Sequence, residues 1–183
     1  MKDSLLAFLD VETTGFDPEK HEIVQIGIVI AKQNPRQGKG PELTIVEEID
    51  LKIKPVHIET AYEEALRING YNEGEWMFAP DLKPTMELLA KKLEGCILVA
   101  HNMAFDNSFM EAAWKKSGVE NTMKRYKLDT ISIAFARFYD RDSEMRYSLK
   151  FLCDIFGVKN ENAHTALADA KALYQVYKKM MNA

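Results

Sequence analysis

"FLDVETTG", residues 8–15, carries two acids, Asp10 and Glu12, into an otherwise apolar run that begins near residue 4. Leu6 and Phe8 share one alternating face with Asp10 and Glu12, while Leu5, Ala7, Leu9 and Val11 line the other. Apolar residues on both faces are the pattern of a central strand covered on both sides. Side chains two apart on a strand point the same way, so the two acids face one side of the sheet, ~7 Å apart. Two ionised carboxylates placed there repel each other and lose solvation. Either the strand ends at Leu9 and the "TTG" turn leaves both acids in water, or a divalent cation bridges them. Hard oxygen ligands suit Mg²⁺ or Mn²⁺ in the second case.

Working outward, "HEIVQIGIVIA" (21–31) reads as a second strand and "ELTIVEEIDLKIKP" (42–55) as a third, stopped by Pro55. The turn-rich "NPRQGKGP" (34–41) joins them as a hairpin loop. Three strands in quick succession predict an antiparallel meander. Helical spacing follows at 59–70, ended by Gly70, and at 83–95, with Pro84 near the start and Gly95 at the end. "CILVAHN" (96–102) is a short buried strand, 105–118 a helix and "YKLDT" (126–130) another short strand. Residues 130–140, 148–157 and 165–181 complete the pattern as helices. No repeat, low-complexity segment or linker interrupts the 183 residues. The expectation is one α/β domain over residues 1–183, a meander followed by strands alternating with helices around a mixed sheet.

A net charge of −4 excludes a general basic coat for long nucleic acid, but not a protein that grips a chain end through metal ions. Cys96 and Cys153 lie in apolar contexts without CxxC spacing, as reduced residues of a cytoplasmic protein do. The start lacks a signal-peptide apolar region, and no run is long enough to span a membrane, so no membrane partner is expected.

Two further acids and two histidines stand out. Asp106, in "VAHNMAFDNSFM", follows a buried strand at a helix start; on position alone it reads as a helix cap, a role Asn102 could take instead. His101 reads as a hydrogen-bonded structural histidine. Asp169 sits beside Ala166, Leu173 and Val176 on a helix and so borders the buried face, where an acid needs a partner. The small alanines around it would let the helix approach another backbone closely. A capping box does not explain it, since Thr165 as N-cap puts Ala168 at N3. His164, five residues earlier, is either an ordinary loop histidine or, beside a metal site, a general base.

Taken together, "FLDVETTG" (D-x-E-T-T-G), "HNMAFD" (H-N-x-x-F-D) and "HTALADA" (H-x-x-x-x-D) occur in the order found in a known family. The chain resembles the DEDDh branch of the DnaQ-like 3′–5′ exonucleases, which includes the proofreading subunit of bacterial DNA polymerase III and ribonuclease T. "YEEALRINGYNEGEW" is similar to the family's segment between the first two motifs, so the likeness runs from residue 8 to about 172. It implies an RNase H-like fold, a five-stranded mixed sheet of three antiparallel and two parallel strands flanked by helices. It also implies two Mg²⁺ ions, with Mn²⁺ as a substitute. Asp10, Glu12 and Asp169 would hold one ion. Asp10 would reach the other, with Asp106 nearby through water.

Two ions ~4 Å apart would stabilise both the attacking and the leaving oxygen of an in-line displacement. His164 would take the proton of the attacking water, and the product would be a nucleoside 5′-monophosphate. For the substrate, a single-stranded DNA or RNA 3′ end, the resemblance assigns Thr13 to the 3′-hydroxyl and Ile68 and Asn69 to a wedge between the last nucleotides. Phe16 and Phe105 are candidates to stack on bases, Phe105 equally a core residue. Lys32, Arg36 and Lys39, or Arg137, Arg141 and Arg146, are either phosphate contacts or solvated charges. Two other functions fit the same residues: a proofreading subunit bound to a polymerase, and a non-catalytic nucleic-acid-binding module. The chain ends 14 residues after Asp169, without the polymerase-binding extension of the polymerase III subunit, which weighs toward a free-standing enzyme; an intact set of four acids and a histidine weighs against the module. Some family members are dimers.

Overall fold

The strand that opens the chain, β1 (Ser4–Thr13), lies at the centre of the sheet. The computed structural model describes residues 4–35, 40–140, 147–160 and 162–182. β1 pairs antiparallel with β2 (Ile23–Asn34) on one side and parallel with β4 (Ile97–Ala100) on the other. β3 (Glu42–Lys52) extends the meander beyond β2, and β5 (Lys127–Asp129) pairs parallel with β4. The order β3-β2-β1-β4-β5 is the five-stranded mixed sheet expected. β1 runs on through both acids to Thr13, so the reading in which it stops at Leu9 does not hold.

The two apolar faces of β1 are covered by different helices. Ala7, Leu9 and Val11 pack into a core with Met86 and Leu89 of α3 (Leu82–Lys92) and with Phe109, Met110 and Trp114 of α4 (Met103–Ser117). Leu6 and Phe8 pack instead against Leu173, Tyr174 and Tyr177 of α7 (Ala166–Met180). The Phe8 ring meets Tyr174 edge-on at 5.4 Å and Tyr177 at 5.2 Å. Asp10 and Glu12 continue that same face, so whatever fixes α7 also fixes what the acids meet. A third cluster, from Ala134 and Phe138 through Leu152 and Cys153 to Val176 and Met180, seats α5 (Thr130–Arg137) and α6 (Leu149–Phe156) on the outer side of α7.

The close approach foreseen from the alanines takes place over Gly27, the residue paired with Asp10 on β2. A side-chain carbon at Gly27 would overlap the backbone of Ala166 and Leu167. Ala166 and Ala170 are themselves fully buried. The first turn of α7 therefore rests on the backbone of β2, beside the acids.

Several boundaries differ from the sequence reading. Residues 59–70 are not one helix: a single 3₁₀ turn (Ile58–Thr60) is followed by extended Ala61 and then by α1 (Glu63–Asn69), which ends at Gly70 with φ 67°. The Tyr62 N–H is committed to the Thr14 carbonyl at 2.9 Å, which ties this break to the turn after β1. A short helix α2 (Glu73–Trp76), capped by the Asn72 side chain, carries Trp76, which is buried and donates to the Val24 carbonyl at 2.8 Å. α4 starts two residues earlier than its pattern indicated. Neither Asp106 nor Asn102 caps it with a side chain; Asp129 Oδ1 accepts from the Asn102 and Met103 N–H groups and also from Ile131 in α5. Arg36, Lys39, Arg141 and Arg146, and half of the 34–41 loop, lie outside the described residues. Among the described residues no helix is long and apolar enough to cross a membrane.

Gly27→Ala is expected to lower stability by about 1–3 kcal/mol, the usual cost of overpacking, because α7 must lift from the sheet. In a thermal melt of a chain this size that is roughly 2–12 °C. An unchanged melting temperature would show that the helix can withdraw without cost.

Candidate active site

β1 delivers Asp10 and Glu12, and the first turn of α7 delivers Asp169. One oxygen from each of the three lies within 4.8 Å of the others. Three hard oxygen donors at this spacing suit a divalent cation such as Mg²⁺ or Mn²⁺. Asp106, in the first turn of α4, is not one of this trio. It is 3% exposed, and its Oδ1 accepts the Val11 N–H at 3.2 Å, which seats it against the strand between the two acids.

The electrostatics follow from burial and like charge. Burial, then Asp106, Asp169 and Glu12, hold the Asp10 carboxyl well above the usual carboxylate range. Glu12 is pushed up from 4.5 to about 7 by burial and by Asp169. Asp106 rises from 3.8 to about 7, mainly through burial, although the Val11 N–H pulls the other way. No cationic side chain among the described residues offsets the charge on Asp10.

Asp169 holds the loop before it. Asn160 Nδ2–H donates to Oδ1, and the His164 backbone N–H donates to Oδ2 at 3.0 Å. His164 has φ 70°, a left-handed conformation uncommon outside glycine. Its exposed side chain borders a cavity of about 610 Å³ that Asp10, Asp169, His101 and Asn160 also line. α6 and its N-cap residue also contribute to the lining, through Lys150 and Ser148; Lys150 is the only Lys or Arg among its described lining residues. His101 Nδ1 pairs with Thr130 Oγ1 at 2.9 Å, as a structural histidine should, and its Nε2 is buried.

The residues assigned to substrate divide. Thr13 is buried; its hydroxyl donates to the Gly15 carbonyl at 2.7 Å, and its own carbonyl accepts Asn69 Nδ2–H at 3.1 Å. Asn69 is therefore buried and committed, and it is Ile68, 43% exposed, that faces outward from α1. Phe16 is 76% exposed, with its ring 6.0 Å from that of Tyr62. The Tyr62 ring lies in turn 4.6 Å from the buried His21 ring, tilted by 51°. Phe105 is half-buried against Phe109 at 5.0 Å, at the edge of the core. Tyr62, Lys150 and Asn160 escaped the sequence reading. Tyr62 was absorbed into an expected helix, and Lys150 and Asn160 carry no periodic signal and reach the site only through the packing of α6 and its following loop.

The exonuclease family model matches residues 7–177. The chain belongs to the exonuclease family. A 3′–5′ exonuclease DinG of Staphylococcus saprophyticus is 31% identical over 171 residues, 93% of this chain and 17% of that protein. A PolC-type DNA polymerase III of Caldanaerobacter subterraneus is 30% identical over 174 residues, 94% of this chain and 11% of that protein. The chain thus spans less than a fifth of these relatives. Solved structures of exonuclease I share the fold: one superposes with a TM-score of 0.79 at 17% identity, over 97% of this chain and 40% of that one. Another, the Escherichia coli enzyme in complex with a dT13 oligonucleotide, gives 0.77 at 17% identity, over 96% and 40%. The DnaQ-like assignment read from the three motifs and the RNase H-like fold it implied both stand.

A carboxyl with a raised folded pKa binds more protons folded than unfolded, so stability falls as pH rises between the two values. For Glu12 and Asp106 that window runs from about 4 to about 7. Without metal, Asp10→Asn should therefore exceed wild type in stability at pH 7.5 by on the order of 1 kcal/mol, and the gap should close toward pH 4. Thermal melts in EDTA across this range test it; a less stable Asp10→Asn at pH 7.5 would refute the repulsion.

Proposed function

We propose that this domain, residues 1–183, is a divalent-metal-dependent 3′–5′ exonuclease. It would act on single-stranded or frayed nucleic-acid ends and release nucleoside 5′-monophosphates. The observation that carries this reading is the trio Asp10, Glu12 and Asp169, whose oxygens converge within 4.8 Å of one another, beside a cavity of about 610 Å³ that Asp10 and Asp169 line. The DinG relatives, named as 3′–5′ exonucleases, and the oligonucleotide bound to exonuclease I support it.

In this mechanism Asp10, Glu12 and Asp169 would hold the cations, two Mg²⁺ or Mn²⁺ in all, with the buried Asp106 carboxyl beside them. When bound, the cations supply Lewis acidity, offsetting the charge of the carboxylates and the phosphate and easing ionisation of water. The protein side chains do the rest. His164, at the cavity rim, accepts the proton of the attacking water. Lys150, which also lines the cavity, faces the phosphate backbone. The backbone at Thr13, fixed by Asn69, meets the terminal 3′-hydroxyl. Ile68 wedges the end, and Phe16 with Tyr62 offers an aromatic platform for a base, while Phe105 closes the site from the core side. The buried, unbridged Cys96 and Cys153 fit a cytoplasmic location. The PolC-type relative supports a second reading, the same chemistry in association with a DNA polymerase or another replication or repair partner.

The test is digestion of 5′-labelled single-stranded DNA and RNA of one sequence, with Mg²⁺, with Mn²⁺ and with EDTA. A ladder shortening from the 3′ end, absent in EDTA and in Asp10→Asn, is expected, and the faster polymer names the substrate. Binding without cleavage under every condition would replace the enzyme by a binding module. His164→Ala should slow turnover by roughly 10²–10⁴-fold; unchanged turnover removes His164 from the mechanism. Phe16→Ala should weaken oligonucleotide binding by about 1–3 kcal/mol, read by fluorescence anisotropy in Ca²⁺, and equal affinity would exclude the platform.

A further inference from the structure

Asp169 has no charged partner of opposite sign among the described residues; what holds it is a pair of neutral donors from the loop between α6 and α7. Asn160 lies nine residues before it and donates from its side chain to Oδ1. His164 lies five residues before it and donates from its backbone to Oδ2. The Asn160 amide is oriented by chemistry, since Oδ1 turned toward the carboxylate would set two acceptors against each other. Its Oδ1 is then buried and finds no partner among the described residues. A buried acceptor left unpaired weakens the case for Asn160 as a stabiliser of the loop, because an apolar side chain would avoid that cost. What an apolar side chain would not supply is direction. The terminal torsion of an aspartate is broad and roughly two-fold, and one donor on each oxygen sets the plane of the carboxylate. That plane determines whether an Asp169 oxygen faces Asp10 and Glu12 at ligand spacing.

We propose that Asn160 is a positioning residue for Asp169: it turns the carboxylate toward Asp10 and Glu12 and ties the loop that carries His164 to the same group. The inference rests on the metal-site reading above. Partners of metal ligands typically change metal affinity or activity by about 10–100-fold when removed.

The experiment compares wild type with Asn160→Leu, which keeps the shape and removes the donor, and with Asn160→Ala, which leaves no side chain to accommodate. Mn²⁺ binding to the whole protein is measured by calorimetry without nucleic acid, beside melts in EDTA and steady-state kinetics on a single-stranded oligonucleotide. Both variants are expected to lose about 10–100-fold in Mn²⁺ affinity. They should lower kcat while KM for the oligonucleotide stays within about twofold, with melting temperatures in EDTA unchanged. Wild-type Mn²⁺ affinity and kcat in both variants would overturn the positioning role and leave the exonuclease reading intact. A fall in melting temperature without a loss of Mn²⁺ affinity would also overturn it, assigning Asn160 to loop stability. Wild-type protein that neither binds Mn²⁺ nor cuts would remove the metal-site reading, and this inference with it.

Discussion

Like charges repel, and the end of β1 concentrates them. Asp10, Glu12 and Asp169 bring oxygens within 4.8 Å of one another, with Asp106 buried beside them. Much of the surrounding structure makes this crowding possible. β1 is covered on both faces by its apolar residues, so its backbone holds Asp10 and Glu12 at one place, both partly buried. Gly27 lets the first turn of α7 rest on β2, opposite Asp10. The Val11 N–H, left free on the edge that β4 does not reach, turns toward Asp106 instead of a strand partner. The fold holds a charge arrangement that opposes folding at neutral pH, as expected where burial and geometry serve a ligand.

The same packing sets the other parts of the site. Phe8, one alternating position before Asp10, locks α7 through Tyr174 and Tyr177. α7 then holds the preceding loop through Asp169, and with it His164. On the other side of the acids, the turn after β1 is held by Tyr62 and Asn69, which donate to the Thr14 and Thr13 carbonyls. The region that presents Phe16, Tyr62 and Ile68 is thus built from backbone bonds, and these three side chains remain exposed.

Family membership accounts for the exonuclease fold of this chain. The DinG and PolC-type relatives are several times longer, and the exonuclease I structures extend well beyond the shared part. The cavity wall made by Ser148 and Lys150 and the Asn160 contact are features of the α6–α7 region, outside the three motifs.

The central strand, the meander and the helix ends at Gly70 and Gly118 were legible in the sequence, because each depends on alternation, spacing or a residue type with one dominant conformation; the four acids were joined into one site by the resemblance of their motifs to a known family, Asp106 reading on position alone as a helix cap. Local pattern could not show that Tyr62 leaves the expected helix to donate to Thr14, that Asp129 rather than Asn102 caps α4, or that Trp76 seats a helix of its own. Each depends on a partner between 26 and 52 residues away. The sequence by itself determined which acids the site contains and the order in which they occur. Only the tertiary structure decided which of them meet, since the distance between Asp10 and Asp169 is set by how closely α7 can approach a strand that carries no side chain at Gly27.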